Sequence, residues 1–179
     1  MNQHSFVRPW LIRSAIALLI GLAIDSFVLT KGNPVDNAIT GFTSEVAGNI
    51  GAILSNQVVR NEDLGGGYEV STDGLNRVFV GHACNARNIL LLYVGFLLTI
   101  PKGNRKRKLK FLLGGTIGII GFNIIRIVIL FMIAAYMPSF FKFMHKYIFQ
   151  VSIYALLFWL WHLYIKPYLN EDESSIQEA

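Results

Sequence analysis

Charged residues and cysteines are both scarce in this chain. Only 15% of its 179 residues are charged and 53% are hydrophobic, which is too apolar for an ordinary soluble domain of this size. The single cysteine, Cys84, excludes an internal disulfide and leaves the thiol free in an oxidising compartment. The four scattered histidines add no ligand cluster, so we expect no metal and no other cofactor. We interpret the chain as an integral membrane protein.

Long apolar stretches predict an all-α fold, a polytopic transmembrane helix bundle of about four spans. We place the spans at residues 10–29, 84–100, 111–137 and 147–165. No small-residue cleavage site follows the first span, so we expect an uncleaved anchor. Residues 1–166 would then form a single membrane domain, and the acidic tail at 167–179 is predicted to be disordered.

Basic residues predict the orientation of the spans. The loop between the second and third spans carries Lys102, Arg105, Lys106, Arg107, Lys108 and Lys110, and such loops stay in the cytoplasm. The more acidic segment 30–83 then faces outward, and both termini are cytoplasmic. We therefore expect a multi-pass protein of the cytoplasmic (inner) membrane. The net charge of +5 reflects this topology rather than nucleic-acid binding, and contact of the basic loop with anionic lipid is the alternative.

The outer segment predicts an amphipathic helix followed by a small β-hairpin. Asn33 and Pro34 suit a helix start. The apolar residues that follow recur every three or four positions, and they are Val35, Ile39, Phe42, Val46, Ile50 and Ile53. We expect this helix on the outer membrane surface or against the bundle. The β-prone runs at 57–61 and 68–72 flank NEDLGGG and predict the hairpin. It leads into Cys84 and is either a substrate lid or a plain surface turn.

Cys84 begins the second predicted span, in the run GHACNARN. A thiol attacks as its thiolate, and a helix N-terminus or a neighbouring cation favours that form. With the helix starting near Asn85, Cys84 would lie at its positive end, and Arg87 would share its face. His82 is a further neighbour in sequence.

Two more polar residues are predicted at the same depth as Cys84. Arg126 follows Phe111 by fifteen residues, roughly 22 Å into a hydrocarbon core about 30 Å thick. Asn123 lies one turn earlier on nearly the same face. His145 follows a short outer turn, PSFFKFM, at the mouth of the fourth span. Three separate segments therefore bring Cys84, Arg126 and His145 to the outer side.

These groups suit acyl transfer by a nucleophilic thiol. Cys84 would attack a carbonyl carbon, His145 would act as base and then as acid, and Arg126 would stabilise the oxyanion. Asn123 would orient Arg126 or serve as a second donor, and Arg87 is a second supporting residue.

Each of these residues also has a structural interpretation. Cys84 would be a small buried hydrophobe, Arg126 would pair with Asp25, and His145 would be an interfacial anchor. Gly114, Gly118 and Gly121 form a small-residue face typical of close helix packing.

The order of three motifs resembles the exosortase and archaeosortase group of membrane proteins. ACNARN begins a span, NIIRI lies within the next, and a histidine follows a short outer loop. The resemblance covers residues 70 to 165 and implies a compact exosortase-like cysteine transpeptidase, in which Cys84, Arg126 and His145 form the triad. The family commonly has Ser-Gly after the cysteine, where this chain has Asn85-Ala86, so the subfamily stays open.

The resemblance also implies a class of substrate. It implies membrane-tethered exported proteins that end in a short motif, a transmembrane helix and a basic tail, and it implies a link to exopolysaccharide export. Hydrolysis and transfer to an acceptor both remain open. The alternatives are a non-enzymatic subunit of a polysaccharide or protein export assembly, and a transporter fragment with Arg126 as an anion site. The second is disfavoured because the sequence has no inverted repeat.

Overall fold

The structure is a computed structural model with six helical segments and one sheet among the residues that it describes. These are residues 34–55, 59–64, 67–72, 76–81, 84, 86–100 and 104–177, with isolated helical positions at 12, 16, 19, 21 and 23. The elements in chain order are α1 (Pro34–Ser55), β1 (Val59–Asp63), β2 (Gly67–Thr72), β3 (Asn76–Gly81), α2 (Arg87–Thr99), α3 (Arg105–Tyr136), α4 (Pro138–Phe143), a π-helical turn (Met144–Ile148) and α5 (Phe149–Gln177).

Two helices in the described part of the chain are long and apolar enough to cross a membrane. They are Arg105–Tyr136 and the continuous helical stretch Pro138–Pro167, and they cover the predicted spans 111–137, except for Met137, and 147–165. The predicted span 84–100 appears as α2, whose 13 residues reach only about 20 Å, short of a hydrocarbon core. The predicted span 10–29 lies almost wholly outside the described residues. The bundle of four spans therefore stays a prediction.

Helix α1 begins at Pro34 as the Asn-Pro pair predicts, but its polar side is the one that is buried. The residues turned inward are Asp36, Thr40, Thr43, Ser44 and Ala47. On the opposite side, Phe42 is 56% exposed and Ile53 is 80% exposed. The threonine hydroxyls donate to carbonyl oxygens one turn back, Thr40 to Asp36 at 2.7 Å and Thr43 to Ile39 at 2.9 Å. Polar residues turned toward the protein and apolar ones turned outward suit a helix in contact with lipid.

The predicted hairpin is part of a three-stranded antiparallel sheet. Strand β2 lies between β1 and β3, and its central residue Val70 pairs with Asn61 on one side and Val78 on the other. Sequence reasoning missed β3, where it expected a plain connection to Cys84. One sheet face is buried, with Val70, Val78 and Val80 against Ile127 and Phe131 of α3. This apolar contact fixes the sheet beside the half of α3 that lies far from its basic start.

A second core joins α2, α3 and α5. Its fully buried members include Tyr93, Leu97, Ile119, Leu157 and Tyr164. The Tyr93 hydroxyl donates to the Phe111 carbonyl oxygen at 2.6 Å and covers Gly115, where any Cβ would collide with it.

The close packing predicted for the other glycines of α3 is not seen within the described residues. A Cβ built at Gly114, Gly118 or Gly121 meets no described atom within 4 Å. Gly115 is instead the position at which α2 and α3 approach each other closely.

The last helix passes through Pro167 and continues to Gln177, where the sequence analysis predicts a disordered tail. A proline inside a helix leaves the carbonyl four residues earlier without its usual donor. That carbonyl belongs to Leu163, and the Arg107 guanidinium donates to its oxygen at 3.1 Å. The replacement hydrogen bond lets the helix continue, and it ties the start of α3 to α5.

Candidate active site

Cys84 lies in the short connection between the sheet and α2. Strand β3 ends at Gly81 and α2 begins at Arg87, two residues later than the predicted start near Asn85. Ala86 adopts a left-handed conformation with φ of 59°, which is unfavourable for a residue with a Cβ. Such a conformation persists only where surrounding contacts hold it.

Asn123 of α3 supplies one of those contacts. Its side-chain amide donates to the Cys84 carbonyl oxygen at 2.8 Å, and the residue is fully buried. From the sequence, Asn123 was predicted to orient Arg126 or to act as a second donor. The observed contact is different, because Asn123 holds the backbone of the cysteine. Among the described residues, its Oδ1 has no hydrogen-bond partner.

His145, which follows Cys84 by 61 residues in the chain, lies beside it in the structure. Its Nε2 lies 3.7 Å from the Cys84 Sγ, and both side chains are partly buried. The residue lies in the π-helical turn between α4 and α5. Such turns insert an extra residue into a helix and change the direction of the side chains that follow, and they are frequent at functional sites. The ring stacks on Phe141 with 5.9 Å between centroids, which limits its rotation.

Arg126 contacts the same imidazole nitrogen. Its Nη2 lies 3.4 Å from His145 Nε2, and the residue is only 8% exposed. A guanidinium has donors only, so a hydrogen bond between these atoms requires the lone pair of Nε2. The same lone pair is the one that would accept the thiol proton of Cys84. His145 therefore faces two groups that compete for one acceptor.

Arg87 pairs with a carboxylate that sequence reasoning missed. Its Nη1 lies 3.0 Å from Asp36 Oδ1, and the two side chains are 11% and 0% exposed. This buried ion pair joins the first turn of α1 to the first turn of α2, three residues beyond Cys84. The signal in the sequence is that Asp36 shares its helix face with Thr40 and Thr43, so these residues form a polar face opposite the apolar one.

Two sequence-based alternatives fall on residues outside the described part of the chain. His82, a further neighbour of Cys84 in sequence, is one of them. Asp25, which was expected to pair with Arg126 in the structural interpretation, is the other. Both interpretations stay open.

Comparison with known families adds to this geometry. The family model described as transmembrane exosortase matches residues 6–161, which is most of the chain. The chain belongs to the transmembrane exosortase family. The matched region is wider than the residues 70 to 165 on which the motifs rest. Searches of the curated proteins and of the solved structures found no match.

Membership of the exosortase family indicates a membrane protein of the transpeptidase type. In this exosortase-family chain, the sulfur, the imidazole and the guanidinium come from three segments: the β3–α2 connection, the π-helical turn and α3. Chemically, the set offers a nucleophile, a base in contact with it and a fixed cation beside the base. Those are the groups that acyl transfer requires.

Proposed function

We propose that this protein is a membrane-embedded cysteine protease or transpeptidase that cleaves the C-terminal sorting signal of exported proteins at the outer face of the cytoplasmic membrane. The observation that carries the proposal is the position of His145 Nε2, 3.7 Å from the Cys84 sulfur and 3.4 Å from Arg126 Nη2. A packing cysteine has no need of a base in contact with its thiol. The non-enzymatic alternative is a subunit of an export assembly.

Cleavage begins with transfer of the Cys84 thiol proton to His145 Nε2. The thiolate attacks the carbonyl carbon of the scissile peptide bond, and the carbonyl π electrons move to the oxygen. When the tetrahedral intermediate collapses, the C–N bond breaks and the imidazolium returns its proton to the leaving amine. A thioester on Cys84 remains. Water or an acceptor amine then attacks it, giving hydrolysis or transfer.

Proton transfer from Cys84 to His145 also breaks the contact between His145 and Arg126. Once Nε2 carries the thiol proton, it no longer has a lone pair for Arg126 to bond. Two positive groups then face each other, and Nη2 is released toward the nearest negative atom, first the thiolate and then the oxyanion. Arg126 thus becomes available when the negative charge forms, which is where a fixed donor lowers the barrier most.

The position of Arg126 along α3 supports an active site on the outer side of the membrane. The helix has 32 residues, about 48 Å, so it is longer than the hydrocarbon core. Its basic start at Arg105 to Lys110 would be cytoplasmic, and Arg126 lies roughly 32 Å along the axis from Arg105. A membrane-tethered substrate would present there the bond that precedes its transmembrane helix. A link to exopolysaccharide export stays a prediction.

The test compares alkylation of Cys84 in intact cells by a membrane-impermeant maleimide, in the wild type and in Arg126→Ala and His145→Ala. We expect labelling from outside to slow about tenfold or more when His145 is lost, because the thiolate then lacks the base that generates it. Loss of the sorting-signal tail from exported proteins is scored in the same strains and in Cys84→Ala.

Two outcomes would contradict the proposal. One is a labelling rate that neither substitution changes. The other is tail removal that continues in the Cys84→Ala strain at unchanged protein level. Either result would favour the assembly subunit, in which Cys84 is a packing residue.

A further inference from the structure

The register of the sheet shows which backbone groups of β3 point away from it. The Leu64 amide donates to the Gly67 carbonyl oxygen at 3.0 Å, so these residues form a hydrogen-bonded pair. In an antiparallel ladder, bonded and non-bonded pairs alternate. With Glu62 opposite Glu69, the residues of β2 that bond to β1 are therefore Gly67, Glu69 and Ser71.

The other residues of β2 bond in the opposite direction, to β3. They are Tyr68, Val70 and Thr72, and their partners are Val80, Val78 and Asn76. The residues between these partners, Arg77, Phe79 and Gly81, consequently direct their N–H and C=O groups to the far side of β3. Within the described residues, β3 pairs with β2 alone. The Phe79 side chain is 53% exposed.

We propose that this edge, the backbone of Arg77, Phe79 and Gly81, binds an extended segment of the substrate protein by strand addition. The inference rests on the proposed function. A row of donors and acceptors repeating every second residue is complementary to another extended backbone. The edge also leads directly to the nucleophile, because Cys84 follows Gly81 by three residues, at most about 10 Å of chain.

Topology fixes which part of the substrate lies on the edge and in which direction. The sorting signal's transmembrane helix follows the scissile bond, so the chain before that bond is the part that lies outside the membrane beside the sheet. It must run toward Cys84, as β3 does. The bound segment is therefore the amino-terminal side of the scissile bond, paired parallel to β3. Main-chain pairing tolerates varied side chains, and Phe79 would contact those turned to the exposed face.

The test uses a proline that removes one outward N–H. In Phe79→Pro the amide lost does not bond to β2, so the sheet ladder stays intact, and edge strands tolerate proline at such positions. Phe79→Ala keeps the amide and controls for the side chain. Asn61→Pro is the matched control, because the same alternation directs the Asn61 amide to the outer side of β1, the edge that does not lead to Cys84.

The probe is a reporter carrying the C-terminal signal of an exported protein that loses its tail in wild-type cells and keeps it in Cys84→Ala cells. We expect Phe79→Pro to cleave it about tenfold more slowly than Phe79→Ala, since the ring removes a donor and also obstructs an incoming backbone. Asn61→Pro should cleave near the wild-type rate. Maleimide labelling of Cys84 should be equal in all three.

Equal cleavage by Phe79→Pro and Phe79→Ala overturns the strand-addition proposal, and it leaves the proposed function standing if Cys84→Ala still retains the tail. If Phe79→Pro also slows Cys84 labelling, the cleavage rates no longer test the edge alone. The strand-addition proposal is then tested with a photo-crosslinking amino acid placed at position 79 or 61 of the Cys84→Ala protein. Crosslinks to the reporter upstream of its cleavage site from position 79, and none from position 61, support the edge. Equal crosslinking from both positions overturns it.

Discussion

Two arginines on helix α3, the half-buried Arg107 and the buried Arg126, make opposite kinds of contact. Near its start, Arg107 donates to the carbonyl oxygens of Leu163 at 3.1 Å and Tyr164 at 3.4 Å, and its guanidinium lies 5.8 Å from the centre of the Tyr164 ring. Nineteen residues later, Arg126 contacts the imidazole nitrogen of His145. A carbonyl oxygen stays an acceptor under all conditions. An imidazole nitrogen loses its lone pair on protonation, so only the second contact can be broken by a proton transfer.

The comparison teaches that the place of an arginine on an apolar helix does not by itself indicate its role. Both arginines come from the same helix, Arg107 from its basic start and Arg126 from its apolar part, where a charge is costly. The identity of the acceptor separates them, because one set of partners is permanent and the other is titratable. Substitutions at Arg126 and Arg107 should therefore differ in their effect on activity.

Replacing each arginine by lysine should give the largest difference in activity between Arg126 and Arg107. Arg126→Lys should lower tail removal by roughly 100-fold or more, since a single ammonium cannot reproduce two fixed donors near the oxyanion. Arg107→Lys should leave tail removal near the wild-type rate, because its contacts lie at the other end of the helix. The measurement is the initial cleavage rate of a tail-bearing reporter in membranes, normalised to enzyme level. Similar losses in both variants would remove the distinction.

The buried ion pair offers a second test, because it fixes the segment that carries the nucleophile without touching the chemistry. In Asp36→Asn the Arg87 charge stays buried without its carboxylate, which should cost about 3–5 kcal/mol of stability and slow alkylation of Cys84. Unfolding in detergent micelles and maleimide labelling measure the two effects. The matched control is Glu45→Gln, a carboxylate on the exposed part of the same helix.

If the Asp36–Arg87 pair positions the segment that carries Cys84, a second substitution at Arg87 should partly rescue the Asp36→Asn variant. Asp36→Asn combined with Arg87→Gln removes the uncompensated charge and allows an amide pair, so part of the stability and of the labelling rate should return. A double variant no better than Asp36→Asn would contradict the role assigned to the pair.

The smallest effect is expected at Pro167, where Arg107 replaces a missing helical donor. Pro167→Ala restores the amide that would bond to the Leu163 carbonyl, so Arg107→Ala should cost less in that background. The coupling should be about 0.5–1.5 kcal/mol, measured by a double-mutant cycle of unfolding in detergent. Additive effects of the two substitutions would mean that Arg107 stabilises α5 independently of the proline.

Much of the fold was predictable because it depends on local pattern. The start of α1 at Pro34 follows from the Asn-Pro pair, and the long α3 follows from an unbroken apolar run. Sequence reasoning did not find β3, because Asn76–Gly81 was interpreted only as a connection to Cys84. Nor could composition show that an arginine sixty residues before Pro167 supplies the missing hydrogen bond and lets the last helix continue.

For the candidate site, the predictable part was the position of Arg126 along its helix axis. A fixed rise per residue gives that position before any contact is known, whereas the placement of Cys84, Arg126 and His145 on the outer side of a membrane stays a prediction. Which way a side chain points around the axis depends on neighbours from distant parts of the chain. The role of Asn123 therefore differs from its prediction, and Asp36 was missed.

By itself, the sequence determined the membrane class and the two long apolar helices, because composition and apolar length are local properties of the chain. The common depth of Cys84, Arg126 and His145 in the membrane stays a prediction. Only the tertiary structure decided that α1 buries its polar face, that a π-helical turn brings the His145 nitrogen to 3.7 Å from the Cys84 sulfur, and that β3 pairs on one side only among the described residues. Those features depend on which segments pack together, and packing selects the rotation of each element about its own axis.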